Sequence, residues 1–132
     1  MNDEIIMTEK DYLRLNNLLK GINIEDYENL EIELERAKIV LDNELPAHVV
    51  TMNSTLEYTE LKSGKTQEIT IVYPQDSDPE THKVSILAPL ASALIGLSVG
   101  QEINWMFPSG ETKRLKVTSV KYQPEASGDY EL

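Results

Sequence analysis

Glu25, Asp26, Glu28, Glu31, Glu33 and Glu35 stand within eleven residues, with no Lys or Arg between the first and the last. Glu25 and Glu28, three apart, share one face of any helix that contains them. Two carboxylates on one side of an exposed tip offer oxygen ligands to a hard cation such as magnesium. The simpler reading is that acids at the start of a helix are favoured by its dipole and by water. Spacing alone favours this simpler reading, so no metal ligand is assigned. Glu25, Asp26 and Glu28 stand instead as candidate partner-binding residues.

Other chemistry is thinner. Ser63-Gly64-Lys65-Thr66 ends like a phosphate-binding loop. Such a loop needs a glycine five residues before Gly64, where Thr59 stands, and it must open a helix, whereas strand pattern follows. A hairpin turn is expected. His48 and His82 are 34 residues apart, and the chain has no cysteine, so neither fits a metal-ligand spacing. Ser54, Ser85 and Ser92 lack the strand–turn–helix context of a nucleophile. No catalytic residue and no cofactor is expected.

The 132 residues carry 12 basic and 23 acidic side chains, a net charge of −11. That balance argues against direct grip on a phosphate backbone, which needs clustered Lys and Arg, so sequence-specific nucleic-acid binding is not expected. It suits a basic protein surface, a metal-bearing site in a partner, or plain solubility. The first ten residues show no signal-peptide pattern, and no run approaches the length of a membrane span. A cytoplasmic monomer is the expectation.

The elements that must position the acids come in two kinds. Tyr12, Leu15, Leu19 and Ile22 step by three, four and three, a coiled-coil seam. Thr8 is the expected N-cap with Asp11 near the first-turn amides, and Gly21 the stop. After the connector Ile22 to Glu25, a second helix is expected from about Asp26 to Asn43 on Tyr27, Leu30, Leu34, Ala37 and Leu41. Two such helices joined by a tight loop fold back as an antiparallel hairpin. Ile32 and Ile39 lie off the seam and are read as packing on the second domain, with a partner contact as the alternative.

Beyond Pro46 the period becomes two. Val50, Met52, Ser54, Leu56 and Tyr58 predict one face of a long strand. Ile69, Ile71 and Tyr73 predict a second, ended by Pro74, and residues 75–81 a loop. A short strand around Val84 and Ile86 leads to a helix from Pro89 through Ile95, stopped by Gly96. Ile103, Trp105 and Phe107 predict a further strand, followed by a turn at Pro108-Ser109-Gly110. The last strand changes phase between Leu115 and Val117 on one side and Val120 and Tyr122 on the other, which predicts a bulge near Ser119. The tail from Gln123 reads as irregular. The fold class is α+β, with a helical hairpin at 1–45 and a mainly antiparallel sheet with one short helix at 46–132.

Ile86-Leu-Ala-Pro-Leu-Ala-Ser-Ala-Leu-Ile-Gly96, Val99-Gly100 and Phe107-Pro-Ser-Gly110 together resemble the C-terminal signature of the Gre transcript-cleavage factors. Toward one branch of that family the likeness extends to His48-Val-Val-Thr-Met-Asn-Ser54 and to Tyr122-Gln-Pro-Glu-Ala-Ser-Gly-Asp-Tyr130. The resemblance implies an FKBP-like second domain. It also implies an N-terminal coiled coil that enters the secondary channel of RNA polymerase while the globular domain docks at the rim. In Gre factors the coiled coil is about twice as long, and its tip carries an Asp and a Glu three apart. Here Glu25 and Glu28 align with that pair, with glutamate in place of the aspartate. Helices of some 14 to 18 residues give roughly 20–27 Å of rod; with the globular domain docked as the resemblance implies, the tip stops tens of ångströms short of the catalytic magnesium. The expected function is therefore polymerase docking and competition with longer channel-binding factors, without transcript cleavage. Two alternatives stand beside it. One is a cleavage factor that uses Glu25 and Glu28, and the other is an FKBP-like prolyl isomerase or chaperone module.

Overall fold

A computed structural model describes residues 5–20, 34–35, 37–41, 44–106 and 109–127. Strand β1 (Ile6–Thr8) runs directly into helix α1 (Glu9–Lys20). Thr8 caps that helix, its Oγ1 accepting the Asp11 N–H at 3.1 Å. Of the expected seam, Tyr12, Leu15 and Leu19 face inward onto the core shared with the sheet, and Ile22 lies outside the described residues. Leu15 and Leu19 are buried and Tyr12 packs against them, while Leu13 on the opposite face is 53% exposed.

Past Leu34 and Glu35, which are helical, the expected helix does not continue to Asn43. Lys38–Val40 form strand β2, paired in parallel with β1 in the register Ile6↔Lys38 and Thr8↔Val40. The physical reason lies in β1. One edge of β1 is open to a partner, the Lys38 N–H bonding the Ile5 carbonyl at 2.9 Å, and Ile39-Val40, both β-branched, fit an extended partner better than a helix. The switch of period also corrects two seam assignments. Leu34 is buried and Ala37 packs on the core, but Leu41 is 56% exposed. Ile39, expected to pack on the second domain, lies 39% exposed on β2. Ile32 lies outside the described residues.

Five strands form the main sheet, in the order β5-β4-β3-β7-β6. They are β3 (Thr55–Glu60), β4 (Lys65–Val72), β5 (Lys83–Ser85), β6 (Glu102–Met106) and β7 (Thr112–Tyr122). All pairs are antiparallel except β4 with β5, which is parallel. The phase change in β7 is a pair of irregularities: Tyr58 pairs with Val117 but Glu57 with Ser119, and Leu56 pairs with Val120 but Thr55 with Tyr122. Thr118 and Lys121 are thus extra residues, and each adds bend and twist that curl the sheet. Leu56, Tyr58, Ile69, Ile71, Trp105, Leu115 and Val117 point to the core. Lys121 lies between Glu57 and Glu68 at 3.6 and 2.8 Å on the solvent side.

The long strand expected from Val50 begins only at Thr55. Residues 51–54 close a tight turn in which the Thr51 N–H donates to Ser54 Oγ at 2.9 Å, and Asn53 has φ +66°. Asparagine tolerates that left-handed conformation because its short amide bonds locally. Val50, Met52 and Ser54 are buried, but so is Thr51, expected on the outward face, so the period-two alternation does not hold before Thr55.

Two short 3₁₀ turns, Pro74–Asp76 and Pro79–Thr81, fill the expected loop. Helix α2 (Pro89–Leu94) has Pro89 in its first turn, and Gly96 follows it with φ +82°. A single turn, α3 (Pro124–Ser127), stands where an irregular tail is expected. It follows buried Gln123, whose Nε2 donates to the carbonyls of Pro46 and Val49, both at 2.8 Å. Ile5, Met7, Leu15, Leu19 and Leu34 belong to the same buried core as the sheet and α2.

Candidate functional site

Glu25, Asp26 and Glu28 lie outside the described residues, as do Gly21 and the connector. The structure instead defines the two ends from which that segment springs. On one side α1 is held down by Leu15 and Leu19. On the other, Leu34 is 1% exposed within the same core. The thirteen residues between Lys20 and Leu34 contain five acids and no base.

Charge is unevenly shared along the chain. Residues 1–44 hold 12 acids and 5 bases, a net −7; residues 45–122 hold 8 and 7, a net −1; residues 123–132 hold 3 acids and no base. The sheet region is therefore close to neutral. The acidity belongs to the first 44 residues and the tail, which makes general solubility a poor account of it.

The joint between α1 and the sheet is built from the loop 50–54 and the turn after α2. The Ile6 N–H donates to the Gly96 carbonyl at 2.9 Å, and the Gly96 N–H donates to the Val50 carbonyl at 2.8 Å. The Met52 N–H then donates to Asp11 Oδ2 at 3.2 Å. Asp11 is 2% exposed. At Gly96 a Cβ would stand 2.8 Å from Ile5 Cβ and 3.3 Å from the Ile6 carbonyl. Sequence reasoning read Asp11 as a helix-cap neighbour and Gly96 as a helix stop, and missed both as joint residues. A bond spanning 41 positions leaves no trace in local periodicity. The only signal is an acid placed just where a first helical turn would otherwise expose it.

The remaining candidates resolve into structural roles. Ser63-Gly64-Lys65 is the β3–β4 hairpin turn, with Gly64 at φ +75° and the Lys65 N–H donating to Ser63 Oγ at 3.2 Å. Ser92 Oγ donates to the Ile86 carbonyl at 2.8 Å, and Ser85 Oγ accepts the Leu87 N–H at 3.1 Å. His48 and His82 are both exposed. Among the described residues no group of three or more His, Asp or Glu side chains is placed to hold a metal ion. None of their helices is long and apolar enough to cross a membrane. Burial raises the Tyr58 phenol above its ordinary pKa, helped by the nearby Glu60 charge, and its hydroxyl donates to Gln67 Oε1 at 2.9 Å. That shift belongs to the sheet core and marks no reaction centre.

Comparison with known proteins places this geometry. Residues 45–122 match the family model "Transcription elongation factor, GreA/GreB, C-term". Over 133 aligned positions the chain is 39% identical to the regulator of nucleoside diphosphate kinase of Escherichia coli K12, covering 97% of this chain and 96% of that protein. It is 34% identical to transcription elongation factor GreA of Bacillus licheniformis, over 62% of this chain and 52% of that one. The solved structure of a prokaryotic GreA/GreB transcription elongation factor from Nitrosomonas europaea superposes with a TM-score of 0.74 at 40% identity. That match covers 92% of this chain and 100% of that structure.

Proposed function

The chain belongs to the GreA/GreB family of transcription elongation factors, and from that premise we propose that it regulates transcription by docking on RNA polymerase without stimulating transcript cleavage. In this reading a short acidic rod, residues 1–45, enters the mouth of the secondary channel. The β-rich base, residues 46–132, rests at the rim with the FKBP-like form the resemblance implies. Glu25, Asp26 and Glu28 are contact residues for a basic surface. The protein acts as a cytoplasmic monomer and needs no cofactor of its own. An effect on nucleoside diphosphate kinase, which the Escherichia coli relative's name describes, would arise through transcription.

Reach carries the proposal. The twelve residues of α1 span about 18 Å. With thirteen residues between Lys20 and Leu34, the midpoint of an out-and-back path lies at most about 24 Å from Lys20 even if fully extended. A helical path adds only about 10 Å. β2 shortens the returning arm further, because Lys38–Val40 are strand and contribute nothing to a rod. Carboxylates tens of ångströms from a metal cannot enter its ligand shell.

Purified RNA polymerase, challenged with this protein and a Gre factor together, tests the reading. Binding that a Gre factor displaces is expected, with no cleavage of backtracked transcripts. Failure to bind, or binding indifferent to the competitor, would sink it. The spacing of Glu25 and Glu28 favours one second reading, in which they help hold a magnesium ion at the polymerase active centre. Stimulated cleavage that disappears in Glu28→Ala would decide for that alternative.

A further inference from the structure

Apolar contact alone would hold α1 down without aiming it. Leu15 and Leu19 are buried, but burial is non-directional and lets a helix roll or swivel on its seat. Direction needs fixed points, and the joint supplies two. The first precedes the helix, where the Ile6 N–H meets the Gly96 carbonyl. The second lies in the first helical turn, where Asp11 Oδ2 receives the Met52 N–H.

Both points belong to one piece of the base. The Gly96 N–H bonds the Val50 carbonyl and the Val50 N–H the Leu97 carbonyl, each at 2.8 Å. Asn53 N–H donates to the Ile71 carbonyl at 2.6 Å, and the Ile71 N–H returns to Ser54 at 3.1 Å. The loop that carries Met52 is thus stitched to α2's end and to β4. A closed path runs Ile6, Gly96, Val50, Met52, Asp11 and back through the helix cap to β1. β1 and the first turn of α1 are therefore tied at two separate points to one hydrogen-bonded part of the base.

From this geometry we infer that Asp11 is the positioning residue of the rod, and that its buried carboxylate fixes the direction in which α1 delivers the acidic segment. A buried carboxylate is costly unless its oxygens are bonded. An apolar residue would seat the helix without that cost, and what Asp11 adds is a directional, charge-assisted bond. The rod and the base then present themselves to a partner as one body. Two charged and neutral faces meet it in a set register, and no swivel at Pro46 is needed. The inference concerns the rod on which the proposed function relies, but the measurement below needs no polymerase and so fails independently of it.

The chain has no cysteine, so Lys20→Cys and Lys62→Cys, both at exposed positions, take spin labels cleanly. Electron–electron distance measurement on the full-length labelled protein reads the angle of α1 against the β3–β4 turn. A single narrow distribution is expected for the parent. Asp11→Ala should broaden it by about twofold or more while far-UV circular dichroism stays unchanged. Asp11→Asn, which keeps an acceptor for the Met52 N–H, should restore the narrow distribution. A merely structural contribution would lower the unfolding midpoint of Asp11→Ala and leave the distance width alone. Unchanged width in Asp11→Ala overturns the inference, and so does an Asn variant as broad as the Ala one. Should Asp11→Ala not fold, Asp11→Asn against the parent still decides: its distribution must match in centre and width.

Discussion

Replacing Gly96 with alanine should cost more than replacing any of the other left-handed glycines, and the excess can be worked out from the structure. Gly64, Gly96, Gly100 and Gly110 all have φ between +75° and +91°. An alanine there suffers the left-handed backbone penalty, about 1–2 kcal/mol. At Gly64, Gly100 and Gly110 a Cβ meets nothing within 4 Å, so that penalty is the whole cost. At Gly96 it meets Ile5 Cβ at 2.8 Å and the Ile6 carbonyl at 3.3 Å. Ile5 is 1% exposed and branched at that very atom, so it cannot rotate away, and β1 must shift. Overpacking of this kind costs about 1–3 kcal/mol more. The total for Gly96→Ala is then about 2–5 kcal/mol, against about 1–2 kcal/mol for Gly100→Ala. Trp105, the only tryptophan and 8% exposed, reports unfolding by fluorescence in urea. With a slope near 2 kcal/mol/M, a loss of about 3 kcal/mol lowers the midpoint by about 1.5 M. Equal midpoints for Gly96→Ala and Gly100→Ala would refute the close approach of β1 to the turn after α2.

Three further outcomes are expected. Leu94→Ala, at a site with no exposure, should cost about 2–5 kcal/mol in the same titration, whereas Leu13→Ala on the open face of α1 should stay within about 0.5 kcal/mol; comparable losses would mean that α1 packs on the opposite face. The Tyr58 phenol has a raised pKa in the folded state, first from burial and then from Glu60, so the folded form holds its proton more tightly than the unfolded form does. Its contribution is complete below the unfolded value of about 10 and is lost as pH rises through the folded one, so the urea midpoint should fall on that alkaline side and less steeply in Tyr58→Phe. Lys121, raised chiefly by its hydrogen bond to Glu68, adds to the same limb, and a Tyr58→Phe profile as steep as the parent's would contradict the assignment. Arg114, 2.8 Å from Glu102 but half exposed, should lose no more than about 1 kcal/mol as Arg114→Ala, and less in high salt.

Much of the sheet was legible because its residues answer one question at a time. Ile69 and Ile71 alternate with Glu68 and Thr70, Pro74 follows the strand, and a phase change between Val117 and Val120 is most simply explained by extra residues on one strand. The N-terminal third was legible only in part. Three residues, Ile6 to Thr8, are too few to show a period, yet their edge decides that Lys38–Val40 become strand rather than helix. Leu41 completes a heptad in sequence and faces water in the structure for that reason. Likewise Asn53 breaks the strand expected from Val50 to Tyr58: Thr51 and Ser54 close a turn, and Thr51, expected on the outward face, is buried with Val50 and Met52. The candidate acids, which lie outside the described residues, were legible as a cluster from composition and spacing. The joint that aims them was not, since Asp11 and Met52 are linked only by the tertiary fold.

The charge distribution and the joint lead to the same place. A net −7 in the first 44 residues against −1 across 45–122 means that a basic partner attracts one end of the molecule and leaves the sheet region indifferent. Such a gradient steers an encounter and sets which end arrives first. Steering is wasted if the charged element can swing after arrival, because each orientation it samples must be given up on binding. A carboxylate buried at the first turn of α1 removes that freedom before the encounter. Under the proposed docking, a short rod makes angle matter more than reach, because it would act by what it touches at the channel mouth. The acids between Lys20 and Leu34 therefore need a fixed bearing more than they need additional turns of helix, and Asp11 is where the fold provides it.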